Sequence, residues 1–396
     1  MKHGWVTKTL GELAELQGRI GWRGLTAKEY TKEGPLFLSV HSLNYGDYVD
    51  FRDAFHISEE RYVESPEIML QPKDVLICKD GAGIGKLGIV DELPDRATIN
   101  SSLLLIRSGK HILPKFLYRC LTSPYFQDIV QSRLNGATTP HLYQRDITEF
   151  PVVLPPLPEQ QRIVGILDEA FAAIATAKAN TANNLQNARA LFESHLNEVF
   201  TKRGEGWVEK KLGEVCEFVG GSQPPKSVFS KTKVGDSIRL IQIRDYKSDK
   251  NAVYIPWSQA KRFCRADDVM IGRYGPPLFQ ILRGLDGAYN VALMKAVPDE
   301  SQLSREFLFY FLKNSSILQY VIYHSDRAAG QIGVKKETLY PYPITLPPLD
   351  EQRIIVEKIT ELESATQRLA DVYEQKLTAL EALKKSLLHQ AFSGEL

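Results

Sequence analysis

The chain has 396 residues, 43% hydrophobic and 24% charged, a balance that excludes a largely disordered polypeptide. Its 49 basic and 48 acidic side chains nearly cancel. That excludes a uniformly basic nucleic-acid binder and leaves room for a local basic face. No run approaches the roughly 18 unbroken apolar residues of a membrane span, and Met1-Lys2-His3-Gly4-Trp5 has no apolar signal core. A cytoplasmic protein with no membrane partner is expected.

From the N-terminus, Trp5-Val6-Thr7-Lys8-Thr9-Leu10-Gly11-Glu12 opens a region of short apolar runs bounded by turn residues. These read as strands at Leu36–Val40, Val75–Cys78, Leu87–Val90 and Ser102–Ile106, followed by one helix at Pro114–Gln131. Gly81-Ala82-Gly83-Ile84-Gly85-Lys86 lacks the spacing of a phosphate loop, and Leu87 stands where the magnesium-binding hydroxyl should be. It reads as a turn between two strands. Cys78, Cys120, Cys216 and Cys264 are too far apart for a Cys-x-x-Cys pair, so reduced, mostly buried thiols are expected rather than zinc or disulfides.

At Pro151–Val164 the chain reads PVVLPPLPEQQRIV. The prolines end what precedes, and from Glu159 there is no proline and only Gly165 among the glycines before Gly204. Ile163, Leu167, Ala170, Ile174, Ala177, Thr181, Asn184, Ala188, Leu191 and His195 alternate spacings of four and three, a heptad seam interrupted at Asn184. The chain then starts again. Trp207–Gly220 matches Trp5–Gly18 at eight of fourteen positions, and Pro343–Val356 matches Pro151–Val164 at nine of fourteen. Unrelated sequences would share roughly one. Strands are expected at Ile238–Ile243, Val269–Ile271 and Val291–Val297, and one helix at Arg305–Tyr323. The second seam follows at an offset of 192 residues, through Ile355, Ile359, Leu362, Thr366, Leu369, Tyr373, Lys376, Leu380, Leu383 and Leu387.

The expected fold is mixed α/β (α+β): two duplicated domains separated by a pair of long antiparallel coiled-coil helices, with pseudo-two-fold symmetry. Each helix, about 40 residues, would be about 60 Å long. No His-Glu-x-x-His, Gly-x-Ser-x-Gly or Asn/Asp-Pro-Pro-aromatic motif is present, so no catalytic residue and no metal ligand is assigned. Polar, basic and aromatic side chains, the kinds that contact base edges and phosphates, cluster in Gly-rich loops. In the first domain they are Arg19, Trp22, Arg23, His41, Asn44, Lys79, Thr138, Thr139 and His141. In the second they are Gln223, Lys226, Arg244, Tyr246, Arg273, Tyr274 and Gln331. Residues 207–342 carry 20 basic against 14 acidic side chains and residues 1–150 carry 18 against 19, so the second domain is the better electrostatic candidate for a polyanion.

The whole chain resembles the DNA specificity subunit of type I restriction–modification systems. The resemblance rests on Trp5…Leu10-Gly11-Glu12 and Trp207…Leu212-Gly213-Glu214, on Pro155-Pro156-Leu157-Pro158-Glu159-Gln160 and Pro347-Pro348-Leu349-Asp350-Glu351-Gln352, and on the ending Ala391-Phe392-Ser393-Gly394-Glu395-Leu396. Gly81–Gly88 is similar to a Gly-Ala-x-Ile-Gly-Lys stretch of the family, from which Gly275-Pro276-Pro277 departs. The resemblance implies target-recognition domains at 1–150 and 204–342, each reading one half of a split, asymmetric double-stranded DNA site. It implies spacer helices at 151–203 and 343–396 that dock two modification (methyltransferase) subunits. Restriction (translocase/endonuclease) subunits complete the complex. S-adenosylmethionine, ATP and Mg are then expected on those partners and no cofactor in this chain, a non-catalytic subunit. A coiled-coil adaptor without DNA binding, or an unrecognised nuclease or methylase, are the alternatives.

Overall fold

The computed structural model describes residues 4–19, 25–134, 141–325 and 333–396. They divide into two compact units, Met1–Thr181 with Gln375–Leu396, and Ala182–Glu374. The strands of the first unit are β1 (Val6–Thr9), β2 (Ala14–Gly18), β3 (Thr31–Leu38), β4 (Phe55–His56), β5 (Val75–Cys78), β6 (Leu87–Ile89), β7 (Ala97–Ile99), β8 (Leu103–Ser108) and β9 (Pro151–Leu154). They make a four-stranded antiparallel sheet in the order β2-β8-β5-β6, a sheet β4-β3-β7 whose β3–β7 pair is parallel, and the ribbon β1-β9. Every residue of β5 is buried, which is why its sequence is a continuous apolar run instead of an alternation.

The second unit repeats this plan with β10 (Val208–Lys211), β11 (Cys216–Gly220), β12 (Ser237–Ile241), β13 (Tyr254–Pro256), β14 (Phe263–Cys264), β15 (Val269–Gly272), β16 (Gln280–Leu282), β17 (Gly287–Tyr289), β18 (Leu293–Pro298) and β19 (Pro343–Leu346). The orders are β11-β18-β15-β16, β13-β12-β17-β14 and β10-β19. Strand β14 has no counterpart among the described residues of the first unit. All four cysteines are free, buried thiols.

The Leu-Gly-Glu repeat has a local cause in each unit. Glu12 Oε2 accepts the Thr9 N–H at 2.7 Å, and Glu214 Oε2 accepts the Lys211 N–H at 2.7 Å. Each bond starts a four-residue helix, Leu10–Leu13 or Leu212–Val215, that turns the chain out of its ribbon strand. A side chain on Gly11 would meet Thr148 Cγ2 at 2.5 Å, and one on Gly213 would meet the Tyr340 ring at 2.8 Å, so either would have to displace its neighbour.

Each single helix expected from the sequence is two helices. The first breaks into Pro114–Leu121 and Pro124–Leu134, because Pro124 cannot donate to the preceding turn. The second breaks into Arg305–Lys313 and Ser315–Ser325 at Asn314, which is extended (φ −70°, ψ 144°) with its Oδ1 accepting the Ser316 N–H.

The two long helices are Leu157–Thr201 and Leu349–Ser393, 45 residues each, or about 68 Å at 1.5 Å per residue. Each is anchored at its start by a buried glutamine. Gln160 Oε1 accepts the Leu113 N–H at 2.8 Å while its Nε2 donates to the His111 and Pro155 carbonyls. Gln352 does the same for the Ser304 N–H and the Gln302 and Pro347 carbonyls. The Pro-Pro-Leu-x-Glu-Gln motif is this knot, in which one carboxamide satisfies three backbone groups.

In the first unit the start of one long helix lies antiparallel to the end of the other. Arg162 donates to the Leu396 carbonyl, Lys384 Nζ sits 4.9 Å over Phe171, and Lys178 pairs with Glu381. Phe392 packs edge-on against Phe116 at 5.2 Å. In the second unit Phe200, which precedes Phe392 by 192 residues, packs edge-on against Phe307, also at 5.2 Å, and Arg189 pairs with Glu374 at 2.7 Å.

The buried stripe departs from the expected heptads. In the first helix it follows Ile163, Leu167, Ile174, Thr181 and Ala188, then moves one residue on, through Phe192 and Leu196, leaving Leu191 56% exposed. In the second helix Ala370, Leu377 and Lys384 turn inward where Leu369, Lys376 and Leu383 were expected; Leu369 and Leu383 are 41% and 46% exposed. A straight helix drifts about 20° per heptad against a 3.5-residue repeat, so four-residue steps must be inserted to keep the stripe inward. Among the described residues no helix is long and apolar enough to cross a membrane.

Candidate nucleic-acid interface

In the first unit, chain reversals at the ends of β3 and β5 gather the candidates. The short helix Val40–Leu43 exposes His41, and Asn44 follows it. Between β5 and β6 the Gly-rich stretch is a hairpin turn, closed by Cys78 N–H on the Lys86 carbonyl and by Gly85 N–H on the Cys78 carbonyl. Gly81 and Gly85 take φ of 78° and 85°, the left-handed region that glycine allows. Lys86 Nζ donates to Asn44 Oδ1 at 2.7 Å and so links this turn to the His41 loop. Lys79 pairs with Asp80 at 3.2 Å, and the other Asp80 oxygen holds His141 Nδ1. His141, Lys79 and Asp80 therefore form one cluster, with the His141 ring against Tyr143.

Arg19 is placed otherwise. It is half-buried with its guanidinium 5.7 Å over the Phe37 ring, and its Nε and Nη2 have no partner among the described residues. Burial lowers its pKa, with Arg61 nearby adding to the effect. It packs against the sheet instead of standing free in a loop. Trp22, Arg23, Thr138, Thr139 and Gln331 lie outside the described residues.

In the second unit the same places hold different side chains. Arg244 stands where His41 does, exposed, one Nη 3.5 Å from the Asn251 carbonyl. Tyr246 turns inward; its hydroxyl is buried without a partner among the described residues, and burial raises its pKa. Arg273 stands where Lys79 does. It bonds the Val334 carbonyl at 3.1 Å and the Val291 carbonyl at 3.3 Å, and lies over its neighbour Tyr274. Gln223 and Lys226 line a cavity of about 550 Å³ with Phe229, Gln242 and Asn290. A second cavity of about 470 Å³ is lined by Lys231, Arg239, Arg244 and Lys250, with Asp249 its one carboxylate. A larger cavity, about 850 Å³, sets Glu214, Glu217, Asp299 and Glu337 against Lys211 and has the wrong sign for a polyanion. Among the described residues no group of His, Cys, Asp and Glu could hold a metal.

The same loops and cavities also hold Lys86, Asn100, Gln242, Asn290, Arg239, Lys231 and Lys250, which residue type and spacing did not single out as candidates. For the asparagines a signal existed. Asn100 and Asn290 occupy one position of the frame. Their N–H groups bond the carbonyls of Leu38 and Ile241, and their Oδ1 atoms accept the N–H of Ser102 and Ala292. The carbonyls of those last two residues accept the N–H of Lys79 and Arg273. The turn therefore holds the same geometry beneath two different cations.

The family model for the type I restriction modification DNA specificity domain matches residues 2–187 and again 204–379. Among curated relatives, the type I restriction enzyme EcoKI specificity subunit of Escherichia coli K12 is 21% identical over the whole chain and 90% of its own length. The StySPI specificity subunit of Salmonella potsdam is 19% identical over the same shares. Among solved structures, a chain from work on complex assembly and conformational transition of the type I R-M system superposes with a TM-score of 0.84 at 21% identity, covering 100% of this chain and 99% of that one. The HsdS subunit of Thermoanaerobacter tengcongensis gives 0.60 at 21% identity, covering 100% and 98%.

Proposed function

Because the chain belongs to the type I restriction modification DNA specificity family, we propose that each of its two units reads one half of a bipartite, asymmetric double-stranded DNA site. The observation that carries this reading is one backbone frame present twice with different side chains at matching places: His41 and Arg244, Asn44 and Lys247, Lys79 and Arg273. A shared frame fixes where side chains stand on a duplex, and divergent side chains give each half its own base preference. The second unit is the more basic, and its cavity ringed by Lys231, Arg239, Arg244 and Lys250 suits the phosphate backbone.

The long helices are the docking elements for two modification subunits, which bring S-adenosylmethionine. Restriction subunits bring ATP and Mg, and the complex works in the cytoplasm. Support for docking comes from the apolar side chains these helices leave in solvent, Leu191, Ile354, Leu369, Val372 and Leu383.

The experiment is to express the chain with its modification subunit and map methylated adenines across a genome. A motif of two short sequences separated by unread base pairs is expected. A single contiguous motif, or none, would count against two reading units.

A further inference from the structure

Arg119 is 6% exposed and bridges two carboxylates. Its Nη1 donates to Asp47 Oδ2 at 2.6 Å and its Nη2 to Asp168 Oδ1 at 2.9 Å. Asp168 lies on the first long helix and is also held by Lys115 Nζ at 2.6 Å. Asp47 lies in the loop that follows His41 and Asn44. Its other oxygen accepts the Tyr118 hydroxyl, and its carbonyl accepts the Ile89 N–H. Two further bonds close the loop, Val49 N–H on the Ile89 carbonyl and Asp50 N–H on the Ser42 carbonyl.

The second unit has no such bridge among its described residues. Tyr310 follows Phe307 by three residues, as Arg119 follows Phe116, and Thr360 lies 192 residues beyond Asp168. The Tyr310 hydroxyl lies 3.2 Å from Thr360 Oγ1 and donates to Glu363 Oε2, both on the long helix, where Lys313 also pairs with Glu363. These bonds fasten a domain helix to the long helix and stop there. Loop residues 243–247 are not part of them.

We propose that Arg119 is a positioning residue that ties the loop bearing His41 and Asn44 to the first long helix, so that selectivity at the half-site read by the first unit depends on Asp168. This rests on the reading that the units bind DNA. A guanidinium fork holding two carboxylates at fixed angles transmits a displacement of either one. Strain on the helix then reaches one half-site and not the other.

The test uses Asp168→Asn and Arg119→Lys in the complex with the modification subunit. The first variant keeps the shape. The second keeps the charge and loses the fork. Tyr310→Phe is the control. Cognate duplex, defined by methylation mapping of the wild type, competes with duplexes altered at one base pair in either half. Both variants should lose discrimination in the first unit's half-site by about tenfold, within the usual range of coupling between sites, with the second half-site unchanged. Tyr310→Phe should change neither. Hydrogen exchange at the Val49 and Asp50 amides should quicken by about tenfold in Asp168→Asn, as it does when a loop loses a restraint. Equal losses in both halves, intact discrimination in the first half, or unchanged exchange at these amides would each overturn the inference. Wild-type complex that selects no sequence would overturn the DNA reading itself, before any variant is made.

Discussion

The two units place identical chemistry where backbone groups must be satisfied and different chemistry where side chains face outward. Gln160 and Gln352 each satisfy three backbone groups, Glu12 and Glu214 each start a short helix, and Asn100 and Asn290 each brace a turn. At the adjoining exposed position the pair is His41 with Arg244, and at the half-buried position beside it Lys79 with Arg273. A buried N–H or carbonyl accepts few substitutes for its partner. An exposed side chain answers only to what it touches.

The largest test of that contrast exchanges residues 1–150 for the matching domain of a relative that reads another sequence. One half of the methylated motif should change completely and the other should not. Changes in both halves would break the picture of separate readers.

Next in size are Gln160→Leu and Gln352→Leu. Each strands an N–H and two carbonyls, at a cost of about 3 kcal/mol. Chemical denaturation, followed by a probe in each unit, should show similar losses, each confined to the unit carrying the change. Unequal losses would show that the two knots are not equivalent.

Arg244→Ala should relax the second half-site at one position by about 1–3 kcal/mol, and His41→Ala the first. Lys226→Ala should weaken every sequence and lower the salt slope by about one, measured by binding at several salt concentrations. Arg19→Ala, by contrast, should lower stability by on the order of 1 kcal/mol in thermal unfolding, because its guanidinium packs on Phe37.

The smallest effect concerns Ser42 and Asp245, buried at the same place in their units, each with an oxygen that has no partner among the described residues. Burial raises the Asp245 pKa against the pull of the Gln242 N–H and of Arg239 and Arg244. A carboxyl whose folded pKa lies above its unfolded value contributes stability below the unfolded value, and that contribution is lost as pH rises through the folded one. Asp245→Asn should therefore stabilise the second unit at neutral pH, by on the order of 1 kcal/mol. The gain should shrink as pH falls through the raised pKa of the wild-type carboxyl and vanish once that carboxyl is protonated. A gain independent of pH would place its cause elsewhere.

The duplication, the mixed fold and the long helices were legible because repeats and apolar periodicity are written along the chain. The ribbons β1-β9 and β10-β19 were not, since Val6–Thr9 and Pro151–Leu154 carry no pattern that names a partner 142 to 148 residues away. The heptads failed at Leu191, Leu369 and Leu383 because the hydrophobic residue nearest an ideal position is not always the one facing inward after several turns of drift. At the candidate interface, residue type pointed to Arg244 and Lys79. It also pointed to Arg19 and Tyr246, whose orientation is decided by Phe37 and by the core beneath β12, information that only the folded sheet supplies. Asn100 and Asn290 were overlooked because they are polar residues beside apolar strands in both copies. Aligning the copies would have exposed them.

The four buried thiols divide evenly, Cys78 and Cys120 in the first unit, Cys216 and Cys264 in the second. Burial raises the pKa of Cys78 and pushes Cys120, Cys216 and Cys264 up to about 12, so almost no thiolate is present at neutral pH. An alkylating reagent will then react only with molecules that have opened. Mass spectrometry of which peptide is labelled, and how fast, would clock the breathing of each unit inside one intact polypeptide. The untouched chain is its own two-channel reporter, and a cysteine added at the surface would take a dye without competition from the native four.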